Sequence, residues 1–263
     1  MTRQANSARK KIGALQRALD ILGLFDARTA ELGNTEIADA LGLHKSTVAG
    51  LIYTLEANGY LEQNPATRKY RLGLKLLERA SILLNHLELR QTARPHLEAL
   101  RNVCNESVNL GVQDGADVVY IERILGSHAL GMRSEVGKRT LLHSTALGKA
   151  LLAWLPPAEL PGIVAELKFQ PVTAKTILDP ARYIQSLHET RARGFAIDDE
   201  ENEIGGRCVA APVFDYTGNP VAAVSVSMPS QRASDATLAQ IGERVRETAR
   251  AISCSLGYLP KPF

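Results

Sequence analysis

Two groups of side chains in this chain could do chemistry. The first is His44-Lys45-Ser46-Thr47, preceded by Thr35 and followed by Tyr53. An ammonium, an imidazole and several hydroxyls at this spacing suit hydrogen bonding to phosphates and base edges. The second group is Cys208, His143 and Asp198, residue types found in nucleophilic catalysis. Nothing in the sequence brings these three within hydrogen-bond reach. His143-Ser144-Thr145 is not a nucleophile elbow, and GKRT and LGKA lack the glycine spacing of a phosphate loop. HSTALGK reads better as the start of a helix. The run Asp198-Asp199-Glu200-Glu201 could hold a divalent ion weakly. Consecutive side chains diverge in a strand or a helix, however, so most of the run cannot converge on one ion. It reads as a solvated face, Cys208 as a small buried hydrophobe and His143 as a core hydrogen-bonding group. A Cys-dependent enzyme and a metal-responsive protein therefore stand as alternatives to a DNA-binding protein. No catalytic residue, metal or cofactor is expected.

The first group needs elements to hold it. TEIADAL (residues 35–41) has a helical pattern that runs into Gly42, and a second helix pattern starts near His44. Ala38, Gly42 and Val48 fall at the spacing of a helix-turn-helix. Ala38 lets two helices cross closely, and Gly42 can take the left-handed turn. Ile37, Leu41, Val48, Leu51 and Ile52 supply the apolar face behind both helices. The polar start of the second helix is where a reading helix meets DNA. An earlier helix is predicted over 12–27, with Leu15, Ala18, Leu19, Leu22 and Phe25 at helical spacing. Gly59 closes the third helix. Residues 60–73 form a β-hairpin, with strands Tyr60-Leu61-Glu62 and Lys69-Tyr70-Arg71-Leu72 about the turn Asn64-Pro65-Ala66-Thr67. A basic hairpin there is a wing, whose Arg68, Lys69 and Arg71 reach backbone phosphates or the minor groove. The expected order is a flexible basic arm (1–11), a winged helix-turn-helix (12–73), mostly α with a β-hairpin wing, and a linker helix (74–89). The linker, LKLLERASILLNH, carries more apolar surface than one small domain needs.

A second domain is expected over 90–263. Helix 89–104 leads to strand patterns SVNLGVQDG and ADVVYIERIL, joined at Asp114-Gly115, and a third strand pattern lies near 129–134. Helices follow at 145–154, 158–167 and 180–193. Two more strands, RCVAAPVFD and PVAAVSVSMP, flank Tyr216-Thr217-Gly218-Asn219. Ser234 or Asp235 then caps a last helix to about 256. Helices mixed with mostly antiparallel strands, without βαβ regularity, make an α+β domain around one sheet.

At 263 residues the chain is long enough for two domains. Its formal charge is only +3, but up to Arg90 it has 13 Lys/Arg against 9 Asp/Glu, and 18 against 19 beyond. The basic excess thus accompanies the helix-turn-helix. Cys104, Cys208 and Cys254 are odd in number and far apart, with no CxxC pair, so neither a zinc ribbon nor a disulfide framework is expected. A reducing cytoplasm is the natural compartment. MTRQANSARKK has no apolar core, so it is not a signal peptide, and no apolar run approaches a membrane span.

RALDIL, HKSTVAGLIYTLEANGYL and KYRLGLKLLE in the first half, with GKRTLLHSTALGKALLAWLP, RGFAIDDEENEIGGRCVAAPVFD and AAVSVSMP in the second, resemble the IclR family of bacterial transcription regulators over almost the whole length. The resemblance implies an N-terminal winged helix, a linker helix and a C-terminal effector-binding domain of GAF-like α+β fold. It implies homodimers or homotetramers on palindromic double-stranded DNA operators, commonly as repressors, switched by a small carboxylate. It also implies an effector pocket at Met132, Ala146, Leu147, Asp198, Cys208, Ser225 and Ser227. Ser225 and Ser227 alternate with apolar residues, so both hydroxyls share one strand face. Ala146 and Leu147 begin a helix, whose orphan N–H groups and dipole favour an anion. One departure concerns Ala49 and Gly50, where many members carry an aromatic residue and an arginine. Glycine inside a helix costs roughly 1 kcal/mol relative to alanine, and a guanidinium that could read guanine is missing.

Overall fold

The computed structural model describes residues 12–26, 28–85, 88–128 and 135–259. The chain divides into two compact units, Met1–His86 and Leu87–Phe263. The basic arm assigned to residues 1–11 and the strand pattern near 129–134 lie outside the described residues.

In the first unit, α1 (Gly13–Leu22), α2 (Asn34–Leu41) and α3 (Lys45–Ala57) enclose a small core of Ile21, Ile37, Ala38, Val48, Ile52 and Leu61. Helix α1 is shorter than the periodicity over 12–27 predicts, because Gly23 ends it. It also presents Leu15 and Leu19 to solvent instead of burying them. Gly42 sits at φ +64° and turns α2 into α3, with Leu43 N–H donating to Ala38 O (3.0 Å). A Cβ-bearing residue is disfavoured in that left-handed conformation. Strands β1 (Leu61–Gln63) and β2 (Tyr70–Leu72) pair antiparallel as the wing. Leu32 adds a bridge to Tyr70, through reciprocal N–H···O bonds of 2.8 and 2.9 Å. The wing is thereby tied to the segment leading into α2. Helix α4 (Lys75–Asn85) follows and leaves Leu77, Ile82 and Leu83 exposed, with Leu74 just ahead of it 78% exposed.

The second unit is built on one six-stranded antiparallel sheet. Its strands are β3 (Ser107–Asp114), β4 (Asp117–Ile124), β5 (Arg139–Leu141), β6 (Ala196–Asp199), β7 (Gly206–Phe214) and β8 (Pro220–Pro229). Their order is β5-β4-β3-β8-β7-β6. Sequence patterning finds β3, β4, β7 and β8 but misses the short edge strands β5 and β6. Three residues are too few for a period of two to show in β5, and β6 runs into the acidic stretch. One sheet face carries Val108, Leu110, Val209, Ala211, Val224 and Val226 against α5 (Glu88–Cys104) and α9 (Asp235–Ser255). The N-cap of α9 is Ser234, whose hydroxyl accepts from Thr237 N–H. The other face lies under α6 (Ala146–Leu152), and α7 (Leu160–Glu166) and α8 (Pro180–Arg193) complete that layer.

Helix α6 sits very close to its own approach segment. A Cβ built on Gly148 would lie 2.0 Å from Leu142 O, so only glycine lets the helix start where it does. Thr145 caps it, accepting from Gly148 N–H (3.1 Å) while donating to Leu141 O (2.9 Å). Among the described residues no helix is long and apolar enough to cross a membrane.

Gly148→Ala forces α6 off Leu142. Its expected cost is about 1–3 kcal/mol, the range for overpacking, read as a lower urea midpoint of the second unit. An unchanged midpoint would show that the close approach is not needed.

Candidate functional site

The first candidate surface is α3 with the wing. His44 is the N-cap residue of α3, and His44, Lys45, Ser46 and Thr47 are all exposed, as is Thr35 in the first turn of α2. Tyr53 is 72% exposed two turns along the same helix. Val48 and Ile52 on the opposite side are fully buried, so burial of this stripe turns the polar one outward. Asn34 Nδ2 donates to Lys45 O (3.3 Å), holding the starts of α2 and α3 together.

The wing residues are less free than their charges suggest. Lys69 Nζ is 2.8 Å from Glu36, whose other oxygen accepts from Gly33 N–H (2.6 Å) at the start of α2. Both contacts hold the Glu36 carboxyl below its ordinary pKa. Arg71 pairs with Glu62 at 2.9 Å. Glu31 accepts from Asn64 Nδ2 (2.7 Å) and Thr67 Oγ1 (2.9 Å), which fixes the wing turn. Arg68 takes φ +59° in that turn. Exposed pairs of this kind contribute about 0–1 kcal/mol, so Lys69 and Arg71 can exchange a carboxylate for a phosphate at little cost. Ala49 and Gly50 are exposed, and a Cβ on Gly50 would meet no atom within 4 Å. Nothing within the unit requires glycine there.

The second candidate surface is the sheet face beneath α6. Registers place Asn109 opposite Ser225, Ser227 opposite Cys208, and Cys208 opposite Asp198. Two adjacent rows, Asn109-Ser225 and Ser227-Cys208-Asp198, thus bring polar groups together across β3, β8, β7 and β6. Asn109 Nδ2 donates to Ser225 Oγ and Ser227 Oγ (3.3 Å each), and Cys208 Sγ–H donates to Ser227 Oγ (3.2 Å). Asn109, Ser225, Ser227 and Asp198 are buried. Tyr120 and Arg123 of β4 project from the same face, opposite Gly111 and Asn109. Burial raises the Tyr120 phenol and the Cys208 thiol well above their ordinary pKa values, with the Asp198 charge adding to both. The first-turn N–H groups of Ala146 and Leu147 belong to the helix that covers this face. Met132 lies outside the described residues.

Asp198 is not on a solvated face, as the acidic run suggests. Its Oδ1 accepts from Glu201 N–H (2.8 Å) and Asn202 N–H (3.3 Å), folding the run into a turn. Burial, with the Glu201 charge nearby, pushes its carboxyl up to about 7 from 3.8, against the opposing pull of Lys149. Glu201 is buried too, and accepts from Lys149 Nζ of α6; that ammonium also donates to Ile197 O (3.0 Å). Lys175 lies 3.2 Å from Asp199 and 2.9 Å from Glu200. Asn202 Oδ1 accepts from Ser144 Oγ (3.0 Å) and Thr140 Oγ1 (3.2 Å). The four carboxylates of the run therefore diverge and are engaged by Lys149, Lys175, Arg207 and backbone, and no metal-binding cluster occurs among the described residues.

His143 and Cys208 do not form a catalytic pair. His143 Nε2 meets the Gln170 backbone, 3.1 Å from its carbonyl oxygen and 3.2 Å from its nitrogen, its ring centroid stands 5.0 Å from that of Phe169, and burial lowers its pKa. The protonated Cys208 thiol is a poor nucleophile. Asn109, Tyr120 and Arg123 are polar residues of this face that sequence reasoning missed. The available signal was an amide at an inward position between Val108 and Leu110.

Comparisons with known proteins identify the domain to which each surface belongs. Residues 14–65 match the IclR helix-turn-helix domain, and residues 82–254 match the bacterial transcriptional regulator IclR C-terminal domain. The HTH-type transcriptional regulator XynR of Escherichia coli is 40% identical over 247 residues, 94% of this chain and 98% of that protein. The HTH-type transcriptional repressor AllR of Klebsiella pneumoniae is 32% identical over 258 residues, 98% of this chain and 95% of that one. The crystal structure of the Thermotoga maritima IclR superposes with a TM-score of 0.79 at 33% identity, covering 94% of this chain and all of that one. An IclR homolog from Microbacterium hydrocarbonoxydans, complexed with 4-hydroxybenzoate, superposes with a TM-score of 0.78 at 26% identity, covering 92% and 98%.

Two measurements test these surfaces. Gly50→Ala should stabilise the first unit by roughly 1 kcal/mol, the helix-propensity difference, visible as a higher urea midpoint. A lower midpoint would mean that the space beside Gly50 is not open. The raised Asp198 pKa means that the folded state holds the proton more tightly than the unfolded chain does. Its contribution to stability is full below about pH 4 and is lost as pH rises through about 7. Asp198→Asn keeps the Oδ1 acceptor and removes the titration. Wild type should lose stability relative to this variant between about pH 4 and about pH 7 and level off above. Parallel pH profiles would contradict the buried carboxyl.

Proposed function

Because the chain belongs to the IclR family of bacterial transcriptional regulators, we propose that it is a repressor whose operator binding is set by a small organic acid bound on the sheet face beneath α6. One observation carries the effector site. Asn109, Ser225, Ser227, Cys208 and Asp198 bring polar groups together on the buried face of an otherwise apolar sheet. These groups are hydrogen-bonded to one another and to backbone, and a few convergent polar groups in apolar surroundings suit a small ligand. The orphan N–H groups of Ala146 and Leu147 add donors and a dipole that favours an anion. The 4-hydroxybenzoate of the Microbacterium homolog is an acid of this kind and supports the class of ligand.

At the DNA end, His44, Lys45, Ser46, Thr47 and Tyr53 face the major groove. Thr35 and the wing residues Arg68, Lys69 and Arg71 contact phosphates of a palindromic operator. Exposed Leu15 and Leu19 of α1 and Leu77, Ile82 and Leu83 of α4 offer apolar surface to a second copy, so the working form is a cytoplasmic dimer or tetramer. The acid acts as a switch by binding two arrangements of the DNA-reading heads with different affinity.

Fluorescence anisotropy with the DNA flanking its own gene tests the output. Lys45→Ala should weaken binding across sequences and reduce the salt slope by about 1 if Lys45 meets a phosphate. Absence of any specific site would refute the repressor reading. Thermal shifts with pyruvate, gluconate and 4-hydroxybenzoate test the input. A bound acid at 100 times its Kd should stabilise the fold by about 2.7 kcal/mol, and a chain that responds to no organic acid lacks the proposed pocket.

A further inference from the structure

Resting on the reading of this sheet face as the effector floor, we infer that Asn109 is a positioning residue. It turns the hydroxyls of Ser225 and Ser227 into donors, so that the floor selects an acceptor-only group, a carboxylate, over its neutral carboxamide.

A serine hydroxyl has one hydrogen and two acceptor positions. Ser227 Oγ accepts from Asn109 Nδ2 at 3.3 Å and from Cys208 Sγ–H at 3.2 Å. Both of its acceptor positions are filled, and only its own O–H is left to offer a ligand. Ser225 Oγ accepts once from the same amide at 3.3 Å, which biases it in the same direction. Burial keeps the Cys208 thiol protonated, so it stays a donor. The side chains are held by the sheet itself: Asn109 pairs in register with Ser225, and Ser227 pairs with Cys208.

The direction of the amide decides the outcome. With its oxygen toward the serines, both hydroxyls would donate into it and lone pairs would face the ligand. With its nitrogen toward them, as here, the floor presents O–H groups. An ionised carboxylate satisfies them without bringing a donor of its own, whereas a carboxamide brings two N–H groups. In a buried site the unmatched donor or acceptor costs its desolvation, which is how polar sites reject near-isosteres.

The test uses the full chain and isothermal titration with pyruvate, gluconate and 4-hydroxybenzoate, each beside its carboxamide. Wild type should prefer at least one acid over its amide by about tenfold or more. Asn109→Leu should lose most of that preference. In a Ser225→Ala/Ser227→Ala background the same change should have no further effect, since Asn109 acts through the serines. Should Asn109→Leu fail to fold by circular dichroism, the nearly isosteric Asn109→Asp replaces it; titrated at a pH where its carboxyl is ionised, it can only accept from the serines and should abolish the preference. Retention of the wild-type preference in the folded variant, or additive losses in the triple variant, would overturn the role of Asn109 alone. A wild type that binds none of the acids would overturn the pocket reading and this inference together.

Discussion

The second unit depends on how α6 is fastened to the sheet. Lys149 reaches from α6 to Glu201 and Ile197 O, and both charged groups are buried. Burying such a pair costs several kcal/mol per ion before any attraction is counted, so it is weak evidence for stability. What it supplies is position. The ammonium has two partners, one on β6 and one in the turn after it, and each limits where α6 can slide. Gly148 sets the helix down on Leu142, Thr145 caps it, and Asn202 holds Ser144 and Thr140. The acidic turn is therefore a clamp. Asp198 closes it from the sheet side through the N–H groups of Glu201 and Asn202.

That clamp explains what the sequence could and could not disclose. A run of four acids and no apolar alternation resembles solvent-facing chain, because composition reports average exposure and not the lysine that comes from 52 residues away (Lys149 to Glu201). Strand β6 was lost with it. The DNA-reading half was far more legible, because its signals are local: Gly42 at a turn that demands a left-handed residue, and apolar spacing that buries Val48 and Ile52. Local periodicity overreached at α1, where Leu15 and Leu19 match the helical stripe yet lie exposed. Spacing predicts which residues share a face, but not whether anything covers it.

The polar rows of the sheet show the same limit. Ser225 and Ser227 were visible as an alternating pair, but Asn109 stands in another strand, and only the β3–β8 register joins it to them. A single amide between valine and leucine carries no periodic signal. Its meaning arises from pairing across the sheet, the non-local term in this fold.

Both halves keep groups that stability alone would not retain. Gly50 has open space for a side chain and forgoes helix propensity, while the wing commits Lys69 and Arg71 to weak exposed pairs. Under α6, valine-like residues in place of Ser225, Ser227 and Asn109 would bury more apolar area and leave no hydroxyl to satisfy. The opposite face of the same strands does this with Val108, Val224 and Val226. One sheet thus carries an apolar core against α5 and α9 on one face and, beside the apolar cluster under α6, a group of buried, hydrogen-bonded polar side chains on the other.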